Sequence, residues 1–598
     1  MKTKESLLAQ ALVEAVEKLY QHTMNINDFQ FQETRKEFAG DITLVVFPLI
    51  KISKTGPEPT GQAIGQYLKD HVADITDFNV VKGFLNISLS QSYWLQTFDA
   101  IAQASQFGFA SAGSKPRVMV EYSSPNTNKP LHLGHMRNIF LGYSVSEILK
   151  ANGHSVTKVQ IINDRGIHIC KSMLAWKKFG QGETPETSGL KGDKLVGKYY
   201  VEFEKNYRPQ VKALMEQGME EEVAKKEAPL MKEAQEMLVK WEQKDPETVH
   251  LWETMNQWVY SGFNSTYTAM NVDFDKLYYE SDTYLLGKSE VEKGLQQGIF
   301  YQKEDGSIWV NLEDEGLDQK ALLRKDGTAM YITQDIGTAI LRFNDYPDTA
   351  YQIYTVGNEQ EYHFKVLFKI LKKLGFAQAD QCFHLSYGMV ELPEGKMKSR
   401  EGTVVDADDL MAEMKAIARE TAEETGKLEN MDDAAKDALH HTIGMAALKF
   451  FLLRVDPIKN MLFDPKSSID FNGQTGPFIQ YTYVRTLAIQ RKFTEQFGQP
   501  EANAAHPASV GNDELQIIQA LYNWPAALQK AASTYDPSQI ANYCYDLARV
   551  YNAFYQHNSI IREEDTAVRN FRMQLTMITG RTLQQAMALL GIEMPERM

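Results

Sequence analysis

The sequence predicts an α/β protein: a central parallel sheet interrupted by a long helical insertion, a small α/β unit before it and an all-α bundle after it. Three observations lead to this fold class. Residues 117–162 read strand–loop–helix–strand, residues 1–110 hold two apolar β-rich segments, and the chain beyond Asp406 carries apolar residues at helical spacing almost throughout. Of the 598 residues, 43% are hydrophobic and 24% are charged, which is ordinary for a chain of several globular domains.

The first 112 residues predict the small α/β unit. Its expected elements are a helix at residues 6–20, apolar β-rich segments at 41–52 and 80–89, and a helix at 61–71 between them. A stretch rich in Gly, Ser and Ala at residues 106–116 is the expected linker to the next domain.

Residues 113–478 predict a Rossmann-like domain. Strands at residues 117–122 and 156–162 flank a helix at 133–152, which is the order of a parallel βαβ unit. Further strand-like segments lie at residues 329–332, 351–356 and 384–390. We therefore expect one parallel sheet with an insertion at about residues 176–325, followed by a helical region and then by a helical bundle at residues 479–598.

Composition excludes several classes of protein. No apolar run approaches the ~20 residues that a membrane helix needs. Three glutamates within the first 20 residues argue against a signal peptide. Cys170, Cys382 and Cys544 form no CxxC pair, so neither a zinc site nor a disulfide framework is expected. The prediction is a cytoplasmic protein without zinc.

The net charge of 63 − 78 = −15 argues weakly against a nucleic-acid partner. The charge is, however, unevenly distributed. Residues 443–598 contain 14 basic and 14 acidic residues, so the negative excess lies entirely in residues 1–442. A neutral C-terminal part leaves room for a basic face.

The first chemical motif is His132-Leu133-Gly134-His135, with Lys129 just before it. It falls between the first strand and the first helix of the predicted sheet, where open α/β sheets bind ligands. Backbone N–H groups and the helix dipole favour phosphate there, and two imidazoles one turn apart can reach the same phosphate oxygens. Because Gly134 lacks a Cβ, a flat ring can approach the backbone closely.

The second motif is a basic, Gly-flanked loop at residues 395–403, which follows the last predicted strand. Its Lys396, Lys398 and Arg400 can stabilise the charge on a departing pyrophosphate. A solvated surface loop is the alternative reading, and it loses weight because the first motif lies on the same sheet.

Together these motifs resemble the HxGH and KMSKS signatures of class I aminoacyl-tRNA synthetases. Four longer segments resemble arginyl-tRNA synthetases in particular: residues 120–137, 331–337, 475–481 and 590–598. The resemblance implies an ATP-dependent ligase that makes arginyl-adenylate and pyrophosphate and then transfers arginine to the 3′ end of tRNA(Arg). It also implies Mg²⁺ carried by ATP phosphates, an anticodon-binding role for the bundle and, by expectation, a monomer.

By resemblance, His132 and His135 contact ATP phosphates, Gly134 lies under the adenine, and Lys396 with Met397 belongs to the ATP site. The KMSKS serine and second lysine are replaced by Lys398 and Ser399. Many family members that lack this second lysine carry one before HxGH. Lys129 stands at that position and is assigned a phosphate role.

An arginine pocket needs carboxylates, because the guanidinium is a planar cation with five donors. Glu121 and Asp335 are expected at strand ends facing the crevice. Glu121 has a structural salt bridge as its alternative role, and Asp335 a helix N-cap. By resemblance, Asn126, Tyr331 and Gln360 complete the pocket, with Ser124 as a further candidate. The alternatives are a core aromatic for Tyr331 and a surface residue for Gln360.

For tRNA, the N-terminal unit resembles the domain that contacts the outer corner of the tRNA, including a D-loop base. Asn86 and Gln91 occupy its polar positions, and Leu89 stands where a stacking aromatic is expected. Tyr481 and Arg485 open the bundle and suit anticodon bases, although a helical tyrosine is more often packed.

Three other functions stay open from sequence. The first is a class I synthetase for glutamate, cysteine or a branched aliphatic amino acid. The second is a small-molecule nucleotidylyltransferase, and the third is a synthetase-like RNA-binding protein without catalysis.

Overall fold

The computed structural model describes residues 3–35, 37–391, 405–425, 431–501 and 506–598. Its contacts divide the chain into two compact units. One consists of Met1–Gly108, Arg485–Pro525 and Asp546–Thr582, and the other of Phe109–Val484, Ala526–Tyr545 and Leu583–Met598. The linear division after residues 112 and 478 stays a prediction.

The strands, in chain order, are β1 (Phe31–Gln32), β2 (Ile42–Val45), β3 (Ile75–Val81), β4 (Phe84–Leu89), β5 (Lys115–Glu121), β6 (His154–Ile162), β7 (Lys276–Tyr279), β8 (Tyr301–Gln302), β9 (Ile308–Val310), β10 (Lys320–Leu323), β11 (Thr349–Gly357), β12 (Phe383–Tyr387), β13 (Val390–Glu391) and β14 (Met461–Leu462).

The α-helices are α1 (Lys4–Tyr20), α2 (Ile50–Ser53), α3 (Pro57–His71), α4 (Gln91–Gln103), α5 (Leu133–Ala151), α6 (Ile167–Phe179), α7 (Pro185–Ser188), α8 (Gly192–Glu216), α9 (Glu221–Glu227), α10 (Pro229–Glu242), α11 (Pro246–Ala269), α12 (Glu280–Thr283), α13 (Leu286–Gln296), α14 (Tyr331–Asp345), α15 (Glu361–Lys373), α16 (Ala407–Thr425), α17 (Asp433–Leu453), α18 (Pro465–Ser468), α19 (Gly476–Phe497), α20 (Asn512–Tyr522), α21 (Trp524–Thr534), α22 (Ser538–His557) and α23 (Thr566–Leu589).

The larger unit is built on a five-stranded sheet in the order β12-β11-β5-β6-β7, with every neighbouring pair parallel. This is the doubly wound order, in which the chain changes direction between β5 and β11. Val118 and Val120 of β5 are fully buried, as expected of a central parallel strand. The predicted βαβ unit and the Rossmann-like fold are confirmed.

Three local expectations are wrong. Residues 329–332 do not form a strand, because α14 begins at Tyr331. A run of only four apolar residues is compatible with a strand and with the start of a helix alike. The interval 176–325 is not wholly an insertion, because β7 returns to the parallel sheet beside β6. In the N-terminal unit, the strand expected over residues 41–52 is limited to β2, and helical turns follow it.

The smaller unit contains an antiparallel sheet in the order β1-β2-β4-β3. Helix α3 lies against this sheet, where Gly65 admits the ring of Phe78: a Cβ on that glycine would come within 2.4 Å of the ring. Among the helices in the described ranges, none combines the length and apolarity needed to cross a bilayer.

Candidate active site

The loop after β5 is fixed at the point where the sheet changes direction. Ser123 adopts a left-handed conformation with φ of 56°. Its N–H donates to Oδ1 of Asn138 on α5 at 2.6 Å, and the Asn138 amide donates to the carbonyl of Thr355 on β11 at 2.6 Å. Asn138 therefore ties the loop to the strand across the crevice.

The HxGH motif begins α5, with His132 as the N-cap residue. The rings of His132 and His135 stack with their centroids 3.8 Å apart, and His135 Nδ1 accepts from the His132 N–H at 3.1 Å. A Cβ on Gly134 would lie 3.1 Å from the His132 ring, closer than ordinary van der Waals contact. The stacked pair leaves the edge of His132 in a cavity of about 220 Å³ that Lys129 also lines.

Both histidines are neutral. Burial, and then the charge of Lys129, lower the pKa of His132 to about 3. Burial, then His132 and then Lys129 hold the pKa of His135 far below its usual range. Neutral imidazoles can each donate one hydrogen bond to phosphate but supply no charge. Positive charge in this part of the site has to come from lysine, which fits the role predicted for Lys129.

The predicted ATP residues Lys396 and Met397 lie outside the described residues. The next described segment begins at residue 405 and lies beside the HxGH motif. Ala407 N donates to Leu131 O at 2.9 Å and Leu133 N donates to Val405 O at 3.3 Å, so His132 and Asp406 face each other in an antiparallel bridge.

A larger cavity of about 590 Å³ opens at the carboxyl ends of β5 and β6. It brings together three of the six predicted arginine-binding residues: Asn126, Tyr331 and Asp335. Tyr331 is 78% exposed, so the core-aromatic alternative is wrong. Asp335 lies in the second turn of α14, not at a strand end, and the N-cap alternative is wrong for the same reason. Its Oδ2 lies 2.6 Å from Nε2 of His363.

The other three predicted pocket residues are not among the described residues that line this cavity. Glu121 is the last residue of β5 and forms a buried salt bridge with Arg342 of α14. Ser124 donates its hydroxyl hydrogen bond to Glu121 at 2.9 Å. Of the two roles expected for Glu121, the structure therefore shows the structural salt bridge. Gln360 is exposed, in the turn before α15.

Glu280 is the acid that sequence reasoning missed. It starts α12 directly after β7 and lines the same cavity as Asp335. Burial raises the pKa of Glu280 to about 7; Arg165 opposes the shift, and Asp164 and Asp335 add to it. The available sequence signal was the run Leu277-Tyr278-Tyr279, which is typical of a short strand and is followed directly by the acid. Because no strand is predicted at these residues, the acid that follows them is not predicted as a site residue either.

Asp164 and Arg165, in the turn after β6, hold α12 in place. Asp164 accepts from the Ser281 N–H at 2.9 Å, from its hydroxyl at 2.7 Å and from Tyr260 at 2.9 Å. The Arg165 guanidinium lies 3.8 Å from the Tyr284 ring centroid. These contacts fix the start of α12 and with it the backbone of Glu280.

The predicted tRNA contacts lie in varied environments. Asn86 is 1% exposed, accepts from Thr43 at 2.6 Å and donates to Asn79 at 2.8 Å, so its amide takes part in the antiparallel sheet. Gln91 is exposed at the start of α4, and its amide bonds the Val510 backbone at 3.2 Å.

On α19, the Tyr481 ring lies edge-on to Phe471 with centroids 6.5 Å apart. Arg485 bonds Asn552, and its guanidinium lies 4.9 Å from the centroid of Tyr555. Tyr481 and Arg485 both lie on α19, but their contacts with bases stay predictions. Within the described ranges, no three His, Cys, Asp or Glu side chains are grouped to hold a metal ion.

Comparison with known proteins decides the family. The family model described as "tRNA synthetases class I (R), catalytic domain" matches residues 96–465, and that of the "DALR anticodon binding domain" matches residues 479–598. The arginine–tRNA ligase of Flavobacterium psychrophilum is 54% identical over 99% of this chain and all of its own length. The enzyme of Bacteroides fragilis is also 54% identical, again over 99% of the chain and all of its own.

The chain belongs to the arginyl-tRNA synthetase family. Two solved structures share its fold over the full length of both chains. The arginyl-tRNA synthetase of Thermus thermophilus superposes with a TM-score of 0.76 at 22% identity. That of Plasmodium falciparum superposes with a TM-score of 0.77 at 18% identity. As a member of this family, the chain is a class I aminoacyl-tRNA synthetase, and the resemblance drawn from its motifs is confirmed.

Proposed function

We propose that this chain joins arginine to tRNA(Arg) in two steps: arginine and ATP give arginyl-adenylate and pyrophosphate, and the 3′-terminal ribose of the tRNA then takes the arginyl group. The observation that carries the proposal is the acidic pair Glu280 and Asp335 in one cavity at the carboxyl end of the parallel sheet. Two carboxylates there suit a guanidinium and give an aliphatic side chain no partner.

In the first step the protein positions ATP against the arginine carboxylate. His132 and His135 donate hydrogen bonds to phosphate oxygens as neutral rings, and Lys129 supplies positive charge beside them. Lys396 stabilises the pyrophosphate as it leaves. Mg²⁺ bound with the ATP would supply further positive charge to the triphosphate.

Asn126 lines the amino-acid cavity at the end of the β5 loop, where it can orient the amino and carboxylate groups of arginine. Tyr331 is exposed to the cavity and gives the aliphatic part of the substrate a flat apolar face. Lysine lacks the planar fork, so it would leave carboxylate oxygens unpaired, and sites built on such contacts discriminate strongly.

For the second step we propose that residues 479–598 bind the anticodon arm of tRNA(Arg). The neutral total charge of residues 443–598 permits such a basic surface despite the acidity of the whole chain. The N-terminal unit is proposed to contact the outer corner of the tRNA, with Gln91 as the more accessible of its two predicted residues.

The test is arginine-dependent ATP–pyrophosphate exchange by the full chain, with and without tRNA(Arg), using lysine and glutamate as controls. Exchange with arginine, and not with the controls, supports the proposal, and a requirement for tRNA would show that activation is coupled to tRNA binding. Exchange with another amino acid would keep class I chemistry and overturn the pocket. No exchange by folded protein with its tRNA would favour a binding protein.

A further inference from the structure

The N-cap residue His132 depends on a segment far along the chain. Its neighbours Leu131 and Leu133 exchange backbone hydrogen bonds with Ala407 and Val405, at 2.9 and 3.3 Å. This bridge holds His132 extended, with φ of −139° and ψ of 173°, where its ring stacks on His135. The direction of the ring is therefore set partly by the segment around Asp406.

The position of Asp406 is in turn set by side chains. Its Oδ1 accepts from the N–H groups of Asp408 and Asp409 at 2.8 and 3.2 Å, which caps α16. Lys194 of α8 places its Nζ 3.2 Å from the same oxygen and 2.7 Å from Asp409. The Lys194 side chain is 27% exposed, so its pairing is partly shielded from water.

A second lysine, Lys191, also holds the start of α16. Lys191 contacts Asp408 and lies 3.2 Å from the buried Asp193. Thr266 of α11 donates to Asp408 at 2.9 Å. Two helices thus hold the start of α16, and of the two lysines it is Lys194 that contacts Asp406, the residue that faces His132.

We propose that Lys194, which lies outside both sequence motifs, is a positioning residue for ATP. By holding Asp406, it fixes the bridge to His132 and so the direction of the phosphate-facing imidazole. The inference rests on the ATP site of the proposed function and not on which amino acid is activated.

A direct contact between Lys194 and phosphate is the competing role, because Lys194 lines the same cavity as Lys129 and His132. The two roles predict opposite effects of Asp406→Asn. Asparagine caps helices as well as aspartate does, so this change removes only the ion pair. In the positioning role it weakens ATP binding. In the direct role it leaves Lys194 paired with Asp409 alone, which makes the ammonium more available to phosphate and strengthens ATP binding.

The experiment is equilibrium titration of the full chain with ATP and Mg²⁺. We expect Lys194→Gln and Asp406→Asn each to weaken ATP binding about five-fold, and the double variant to be no weaker than either single one, because the two side chains act as one unit. Lys194→Arg should restore most of the affinity. The KM for arginine should stay unchanged, which a general loss of structure would not allow.

Lys205→Gln is the matched control. It lies further along α8, pairs with Glu202 at 3.6 Å and is not among the described residues that line this cavity. It should bind ATP like the wild type, and melting temperatures verify that every variant is folded. Wild-type affinity in Lys194→Gln, or tighter binding in Asp406→Asn, would overturn the inference. If the wild type binds ATP but shows no arginine-dependent exchange, it is the proposed function that fails, and the ATP titrations still decide the role of Lys194.

Discussion

The two ends of the proposed active site handle charge in opposite ways. At the ATP end, burial keeps His132 and His135 neutral, and Lys129 provides the charge. At the amino-acid end, Glu280 and Asp335 face one cavity, and burial raises the pKa of Glu280 to about 7. Each end therefore holds charge that a ligand of opposite sign would stabilise: phosphate at one end and guanidinium at the other. The two ends thus differ in the sign of the charge that they offer to a ligand.

The largest expected effect is at the amino-acid end. Asp335→Asn keeps the shape of the side chain but removes a negative charge from the guanidinium site. We expect the KM for arginine to rise about a hundred-fold while ATP affinity is retained. The measurement is steady-state kinetics with each substrate varied in turn. Asp345→Asn, at the exposed end of the same helix, is the control and should change neither value. Equal losses for both substrates would instead indicate misfolding.

The next effect separates a structural acid from a binding acid. Glu121→Gln leaves the guanidinium of Arg342, whose side chain is 1% exposed, without its counter-charge. Breaking a buried pair costs about 3 kcal/mol, so we expect a clear loss of unfolding free energy in denaturant titrations and an unchanged KM for arginine. Replacing both partners, with Glu121→Gln and Arg342→Met, should recover part of the stability. A raised KM at unchanged stability would return Glu121 to the arginine pocket.

A smaller effect is the pH dependence of arginine binding. With the pKa of Glu280 near 7, the carboxyl is largely protonated and neutral below that pH, and it ionises as the pH rises. Arginine affinity should therefore increase from pH 6 to pH 8, by up to about ten-fold, because the ionised form attracts the cation.

Calorimetry at several pH values checks this, and arginine binding at pH 6.5 should release protons to the buffer. Glu280→Gln should bind more weakly at pH 8 and lose the pH dependence. Unchanged pH dependence in that variant would assign the titration to another group.

What the sequence could predict differs between the same two ends. HxGH is a local motif, and its strand, loop and helix are contiguous, so its residues and its place at the sheet edge follow from the sequence. The amino-acid pocket combines residues from the β5 loop, α12 and α14. Of its acids, Asp335 was predicted from the chemistry that a guanidinium site requires, although it lies on a helix and not at a strand end.

Glu280 was missed because β7 has only four residues and follows a long helical insertion. Glu121 is the opposite case: it is predicted as a binding residue, whereas the structure shows it in a salt bridge. An acid at a strand end satisfies the chemistry of an arginine site, but the sequence does not reveal that Arg342, more than 200 residues later, already occupies it. Pairing across such separations depends on how α14 packs on the sheet, and that is a property of the fold.

The smallest expected effect is an absence of titration at the ATP end. Because burial and Lys129 lower the pKa of His132 to about 3, the ring stays neutral from pH 5 to pH 8 and its contribution to ATP binding should not change over that range. ATP itself titrates there, so the informative quantity is the ratio of ATP affinities of the wild type and His132→Gln, measured at each pH. A constant ratio fits an imidazole that acts only as a neutral donor. A ratio that grows on acidification through pH 6.5 would mean that His132 binds phosphate as a cation, and the contrast between the two ends of the site would then rest on the acids alone.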